Sequence, residues 1–416
     1  MKILIIGSGG REHALAWKLS QEAEVHAAPG NPGMVSCAQC HSVAVSDHYG
    51  LVGLARKIGA DLVVVGPENP LIDGVADVMR TVGLNVFGPG RDGAQLEGSK
   101  AFAKTLMHEA YVPTASYKIC TDPQSAIQFA RDLASEGKHV AVKASGAAFG
   151  KGVVVCSSAA DAEDAIDMML VKKEFLEAGE TIVVEERLYG REFSLLSLCT
   201  DGGFLSLPLA QDYKRVGTGD TGLNTGGMGS YSPLEWVSPD LLRQTEERVV
   251  APMLGALEER SIPFRGTLFS GLLVQDGVPY CLEYNVRFGD PETQSVVARI
   301  GKGLAAALLA CAKGESIPDV EVLERSAVTV VLASEGYPGK YRKGVPISLP
   351  ADLGPNAVVF HAGTAVQDGQ LVTGGGRVLA VTGWGDTLES ARLHAYDAVS
   401  KISFEGMHYR TDIGDS

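Results

Sequence analysis

The chain has 416 residues, room for roughly two to four domains, and its 36 Lys and Arg against 50 Asp and Glu leave a net charge of −14. That balance repels phosphate backbones and anionic bilayers, so neither general nucleic-acid binding nor membrane attachment is expected. With 45% hydrophobic and 21% charged residues the composition is that of a folded globular protein, and its 50 glycines, about 12% against a usual ~7%, point to tight turns or to backbone approaching a ligand.

Met1 to Gly7 holds too short an apolar run for a secretion signal, and no run approaches the ~18 apolar residues of a membrane span. Seven cysteines, an odd number, read as reduced cytosolic thiols. Cys37-Ala-Gln-Cys40-His41 has the spacing of a haem attachment, but that chemistry needs export and the match reads as coincidence.

Residues 2–6 form an apolar strand closed by the turn Gly7-Ser-Gly9-Gly10, and a helix follows with Leu15 and Leu19 four apart. Further short apolar strands end at Gly66-Pro67-Glu68 and Gly88-Pro89-Gly90. This alternation predicts a parallel α/β sheet with its ligand crevice at the carboxyl ends of the strands. The glycine turn reads either as a phosphate cradle or as a turn that packs helix on strand. The second strand, Val25 to Pro29, lacks a carboxylate at its tip, which counts against a dinucleotide.

Ser99 is placed to cap a helix that runs to about Ala110 and stops before Val112-Pro113. Val140–Lys143 and Gly152–Cys156 read as two strands flanking a small-residue loop, a hairpin with Lys143 and Lys151 at its ends. It suits a flap whose lysines are point charges on a triphosphate, or a flexible exposed hairpin. A helix over 161–171 and a strand over 181–186 follow. Glu185, Glu186 and Glu192 then form either acceptors for an adenine amino group and ribose hydroxyls or a solvated acidic edge.

The stretch 190–290 reads as antiparallel. Within it, Gln211–Val216, carrying Asp212 and Lys214, and Asn224–Gly229, carrying Gly226 and Gly227, look like a substrate-binding surface or a basic surface loop. Alternation along a strand puts Glu283, Asn285 and Arg287 on one face, which suits a hard oxygen-liganded Mg²⁺ beside an arginine that forks onto an anion, or else a cross-strand ion pair. A helix near 293–313 comes next, and residues 326–416 show short strands, Gly374-Gly-Gly376 and one helix near 387–401. The nine histidines lack metal-ligand spacing, and no Gly-x-Ser-x-Gly turn offers a nucleophile.

Six segments together resemble the phosphoribosylamine–glycine ligase family of the ATP-grasp superfamily, over essentially the whole chain. They are Gly7-Ser-Gly-Gly-Arg-Glu-His13, Pro29-Gly-Asn31-Pro-Gly33, Val65-Gly-Pro-Glu68, Gln95-Leu-Glu-Gly-Ser-Lys100, Asn224-Thr-Gly-Gly-Met-Gly229 and Arg287-Phe-Gly-Asp290-Pro-Glu-Thr-Gln294. The resemblance implies an α/β and α+β multidomain chain: a Rossmann-like N-terminal domain over 1–98, an ATP-grasp domain over 99–325 with a flap at about 115–190, and a small C-terminal α+β domain over 326–416. It implies that ATP, glycine and 5-phosphoribosylamine give glycinamide ribonucleotide, ADP and phosphate through glycyl phosphate, in purine biosynthesis.

By the same resemblance Lys100, Lys143 and Lys151 contact ATP phosphates, Glu185 and neighbouring Glu186 read adenine, and Glu192 reads ribose. Glu283 and Asn285 hold Mg²⁺ or Mn²⁺, and Arg287 stabilises the transferred phosphoryl group. Gly9, Gly10, Arg11, Asn31 and Glu68 form the phosphoribosylamine pocket, while Asp212, Lys214, Gly226, Gly227 and Asp290 complete the substrate site, Asp212 and Lys214 acting with Arg287 in catalysis. A cytoplasmic monomer is expected, with no nucleic-acid or membrane partner. The chain departs from the family pattern at Ser145 (usually Asp), Phe149 in a small-residue flap, Tyr213 (usually His) and Leu176 (usually Gly). Another ATP-grasp carboxylate–amine ligase or a non-catalytic ATP-binding protein are the alternatives.

Overall fold

The computed structural model describes residues 1–146 and 152–415. It begins with a five-stranded parallel sheet in the order Gln39–Cys40, Glu24–Pro29, Lys2–Gly7, Leu62–Val65, Val86–Phe87, wound with helices Gly10–Leu19, His48–Ile58 and Val75–Thr81. Helices cover the sheet, so its inner strands Lys2–Gly7 and Leu62–Val65 are buried on both faces and read as near-continuous apolar runs. The order reverses between Lys2–Gly7 and Leu62–Val65, which puts the crevice at Gly7-Ser8-Gly9 and Gly66-Pro67-Glu68.

Residues Tyr117–Cys120, Ile182–Glu186, Val140–Ala144 and Val153–Cys156 form a second, antiparallel sheet in that order, backed by helices Pro123–Ser135 and Ala159–Ile166. Val140 pairs with Cys156 and Lys143 with Val153, so the expected hairpin is present. This unit has a core of its own, built from Ala126, Leu133, Val142, Ile166, Ile182 and Val184. Leu176 there has φ +51 and is exposed, a left-handed conformation that glycine adopts without penalty.

A third sheet, Gly203–Ser206, Arg191–Thr200, Gly266–Gln275, Val278–Asn285, is antiparallel as expected. The stretch that contains it is not strand throughout. Helices Pro239–Thr245 and Ala251–Glu259 interrupt it, and Thr245, Val249, Val250, Met253 and Leu257 bury one helical face at three- and four-residue spacing. Ser238, whose side chain accepts from Leu241 N, and Pro239 at the first turn start this insertion. The helix expected near 293–313 is two helices, Glu292–Ala298 and Leu304–Lys313. The break falls at Gly303, with φ +96, where a Cβ would lie 2.7 Å from the Asp319 carbonyl oxygen.

The last large sheet runs Gln211–Asp212, Gly229–Ser232, Ser326–Ala333, Arg377–Gly385, Ala357–His361, with helix Leu388–Ser400 against it. Its first two strands come from the segment expected to bind substrate, and the other three from beyond residue 325. The substrate segment is thus stitched into the C-terminal sheet. No helix among the described residues is long and apolar enough to cross a membrane. All seven cysteines are free, and burial pushes the Cys37 thiol up to about 11.

Candidate active site

Local backbone choices aim the central residues. Gly271 faces Glu283 but Leu272 faces Cys281, so Leu282 is an extra residue in its strand. Before this bulge Pro279 and Cys281 are buried, and after it Tyr284 and Val286 are. The shift of phase turns Glu283 and Asn285 together away from the core. A Cβ on Gly271 would lie 3.2 Å from the Glu283 Cγ, so glycine leaves room for the carboxylate. Arg287 is not on that strand face, because the strand ends at Asn285. It reaches the site from the following turn, its guanidinium 2.8 Å from Glu97 and 3.3 Å from Glu68.

Around Glu283 stand Lys214, Lys143, Lys100 and Arg287. Burial works to raise the Glu283 pKa, but these cations outweigh it and hold the carboxyl below its usual range. Lys100 opens helix Lys100–Glu109, whose Ser99 cap accepts from Phe102 N. Ser145 supports this end too: its Oγ accepts from Ala101 N at 3.0 Å and its carbonyl from Lys100 N at 2.8 Å. The serine therefore retains a capping contact without the charge an aspartate would bring.

Lys143 makes a close ion pair with Glu185, and Lys104, one helical turn beyond Lys100, contacts the same carboxylate at 2.7 Å. Glu185 is 3% exposed; burial raises its pKa, yet Lys143 and Lys104 bring it below the ordinary value. Its carboxylate is a counterion to the lysines rather than a free acceptor. Glu186 points to the other face, as alternation requires, and pairs with Lys138 at 3.4 Å, away from this cluster. Lys151 and Phe149 lie outside the described residues.

Lys214 donates to Glu192 at 2.9 Å and also faces Asp212, and the carboxylates Asp212, Glu192 and Glu283 raise its pKa well above normal against the effect of burial. Asp212 is itself raised, first by burial, although Lys214 opposes this. Nearby Glu292, which accepts from Ser194 Oγ at 3.2 Å, is pushed up to about 7 by burial and then by Asp212.

The crevice of the parallel sheet opens onto this cluster. Glu12 fills the glycine turn: its carboxylate accepts from Gly9 N at 2.6 Å, and a Cβ on Gly7, Gly9 or Gly66 would fall within 2.6 Å of its side chain. The Gly9 N–H is therefore already used. Arg11 donates to Glu12 and to the Phe288 carbonyl and lies 4.0 Å from Glu68. Gly10 packs against Gln294 and Asp290. Asp290 accepts from Gln294 at 2.7 Å and pairs with Arg377 at 3.0 Å, and Arg377 with Arg11 outweighs burial to keep it ionised. Arg377 also donates to the carbonyls of Gly226 and Asp290, while Gly226 N donates to Tyr337 Oη at 3.0 Å. Gly227, at φ +106, lies where a Cβ would collide with Pro291.

Asn31 lines this region but its side chain is spent on structure. It donates to the carbonyls of Ser8 and His361 and accepts from Gly33 N and Met34 N. Beside it His13 Nδ1 accepts from His361 N at 2.8 Å, and burial pushes His13 down to about 3 and His361 to about 4. Unfolded histidine binds a proton below about pH 6.5 and these two do not, so stability falls as the pH drops below 6.5, by up to about 1.4 kcal/mol per pH unit for each. Glu292 works in the opposite sense between its usual range and about 7, so the comparison is with a variant. Chemical unfolding of wild type and His13→Asn at pH 7 and pH 5 checks this, with a smaller acid loss expected in the variant.

Reasoning from sequence alone assigned no role to Lys104, Glu97, Glu12, Glu292, Tyr337 or Arg377. Lys104 was within reach as the i+4 neighbour of Lys100. Arg377 directly follows the Gly374–Gly376 run, but nothing local tells which carboxylate it meets.

An antiparallel sheet bearing Lys143 and a strand that presents Glu283 and Asn285 among cations fit an ATP-grasp ligase. Three family models match the chain in order: the phosphoribosylglycinamide synthetase N domain over residues 1–97, its ATP-grasp (A) domain over 98–293 and its C domain over 327–416. A phosphoribosylamine–glycine ligase of Rhizobium meliloti is 44% identical over 419 residues, covering 100% of this chain and 98% of that protein. One from Rhodopirellula baltica is 43% identical, covering 99% and 97%. The crystal structure of the phosphoribosylamine–glycine ligase of Thermotoga maritima superposes with a TM-score of 0.86 at 35% identity, over 99% of this chain and 100% of that one. The chain belongs to the phosphoribosylglycinamide synthetase family, and as a ligase of purine biosynthesis it uses ATP to join glycine to 5-phosphoribosylamine.

Proposed function

We infer that the reaction runs through glycyl phosphate on the residues gathered around Glu283, within a chain divided at 1–98, 99–325 and 326–416. The observation that carries this is the convergence of Lys100, Lys143, Lys214 and Arg287 on one ionised carboxylate. The carboxylate of glycine is a poor electrophile for an amine, so its oxygen first attacks the γ-phosphorus of ATP, the bond to the β,γ-bridging oxygen breaks, and glycyl phosphate forms as ADP leaves. Lys100 and Lys143, joined by Lys151, hold the phosphate oxygens as point charges, and Glu185 fixes Lys143 in place. Arg287, held by Glu97 and Glu68, is oriented for the transferring group, where charge develops. Glu192 with its Lys214 partner borders the ribose.

Glu283 and Asn285 fit a divalent cation. They are two hard oxygen donors on one strand face amid cations placed for phosphates, and Mg²⁺ characteristically takes one or two protein oxygens beside phosphate oxygens. A divalent ion held there, Mg²⁺ or Mn²⁺, would supply further neutralisation of the polyphosphate.

The amine of phosphoribosylamine then attacks the glycyl carbonyl carbon and phosphate leaves. Asp212, its pKa raised by burial, takes the proton that the amine sheds. Gly10, Arg11 and Glu68 on one side and Asp290 with the Gly226–Gly227 turn on the other bound the amine substrate, and Asn31 shapes its loop. The enzyme works as a cytoplasmic monomer.

The test is ADP release by the purified protein with ATP and Mg²⁺, given glycine alone, phosphoribosylamine generated in situ alone, and both. Release is expected only with both. ATP binding without turnover under any of these conditions would leave a non-catalytic nucleotide-binding protein.

A further inference from the structure

The ribbon Arg215–Gly217 with Thr221–Asn224 is a two-stranded sheet joined to no other, and its second strand is exposed on every residue. A two-stranded hairpin is marginal in water by itself. Yet Asp212 and Lys214, which the reading above places at the substrate, stand at its base. What holds it is the end of the chain. Arg410, 1% exposed, forks onto Asp412 with contacts of 2.8 and 2.6 Å, then donates to the Arg215 carbonyl at 3.1 Å and to Asp220 at 2.7 Å.

The Arg410 guanidinium also lies 4.8 Å from the centre of the Tyr213 ring, and Tyr213 Oη accepts from Gly414 N at 3.0 Å. Asp412 accepts from Gly219 N at 2.9 Å, and the Val216 carbonyl lies 2.8 Å from His408 Nε2. The tail is itself anchored on the C-terminal domain: His408 pairs with Ala333, and Tyr396 Oη bonds the Arg410 carbonyl and Ile413 N. The segment divides the work: the Tyr213 side chain and the Arg215 carbonyl meet the tail, while Asp212 and Lys214 face Glu192 and Glu283.

We propose that the C-terminal segment His408–Gly414 is a brace that sets the substrate segment 211–220, with Arg410 as a positioning residue for phosphoribosylamine. The proposal rests on the assignment of Asp212 and Lys214 to the substrate site. Arg410 touches no nucleotide or metal residue directly, but the segment it sets carries both Asp212, which serves the amine, and Lys214, which pairs with Glu192 and faces Glu283, so its loss acts on the amine substrate first and on ATP by a smaller factor. A displacement of about 1 Å at a positioned group costs up to ~100-fold in rate, so a shift of tenfold or more is expected from losing the fork.

The experiment compares the full-length chain with Arg410→Met, Tyr213→Phe and Lys214→Met. It measures KM for phosphoribosylamine, the Kd for ATP alone, and Tm. Arg410→Met is expected to raise the phosphoribosylamine KM about tenfold or more while the ATP Kd rises by a clearly smaller factor, through Lys214. Tyr213→Phe, which keeps the ring and loses only the Gly414 bond, should do the same in smaller measure. An unchanged phosphoribosylamine KM, or a weakening of ATP and amine substrate together in step with Tm, overturns the brace. If Arg410→Met does not fold, Tyr213→Phe and Asp412→Asn decide, and an unchanged KM in both overturns it. A raised KM in Lys214→Met beside an unchanged one in Arg410→Met removes the brace alone. An unchanged KM in Lys214→Met removes the substrate assignment and the brace with it.

Discussion

Glu283→Gln is expected to lower kcat for ADP formation by about 10³-fold or more while the protein still binds metal-free ATP at least as tightly as the wild type. The sign follows from the surroundings. Glu283 is ionised at neutral pH because Lys214, Lys143, Lys100 and Arg287 outweigh its burial. Converting it to a neutral amide of the same shape leaves those four cations with excess positive charge, which favours a polyanion. It also removes one of the two proposed oxygen donors for the divalent ion. Turnover and nucleotide affinity should therefore part company. Steady-state ADP release across a Mg²⁺ titration, beside calorimetric ATP binding with chelator present, reads both. If the two are lost together, Glu283 is holding the fold rather than the ion; retained turnover would remove the metal assignment.

Glu185→Gln should have the largest effect on stability, about 3 to 5 kcal/mol. The carboxylate is 3% exposed and neutralises two lysines, Lys143 on its own sheet and Lys104 from the helix beneath. Lys104 has a further hold, donating to Thr114 Oγ1 at 2.6 Å, and that hydroxyl in turn donates to the Cys281 carbonyl. Removal of the one anion strands two buried ammonium groups, a heavier penalty than loss of a surface pair, which is worth about 0 to 1 kcal/mol. Urea unfolding at pH 7 measures the loss. The double variant Glu185→Gln/Lys104→Met should be less destabilised than the two single losses added together, by at least about 1 kcal/mol, because the second change removes one stranded charge. Simple addition would mean that the three groups do not act as one cluster. The ATP KM of Glu185→Gln should rise as well, since Lys143 loses the partner that orients it.

Much of the frame is local and so was legible before any coordinates. The parallel sheet announced itself through continuous apolar runs closed by glycine turns at Gly7 and Gly66, and the hairpin of Val140–Ala144 with Val153–Cys156 through strands flanking a small-residue loop. Family resemblance carried the chemistry further than periodicity could, because motifs such as Asn224–Gly229 mean little in isolation. Misreadings came where a local signal was passed over or a single residue changed the phase. Ser238-Pro239 opens a helical insertion inside an otherwise antiparallel stretch, and Gly303 breaks what periodicity alone continues as one helix. The bulge at Leu282 lets Glu283 and Asn285 leave the core face, and the end of the strand at Asn285 means that Arg287 arrives by a turn instead.

What sequence determined by itself is therefore the inventory: which residues are strands, which carry charge, and which turns need glycine, all properties of a few consecutive positions. Tertiary structure alone decided which charges meet. Glu185 became a counterion and Glu186, its neighbour, turned away to Lys138; Arg377 came to Asp290 from 87 residues along the chain; and the tail at Arg410 reached a ribbon some 190 residues earlier. The reason is physical. A strand or helix is fixed by short-range sterics and hydrogen bonds, whereas a buried ion pair exists only where the packing of distant segments has excluded water from both partners.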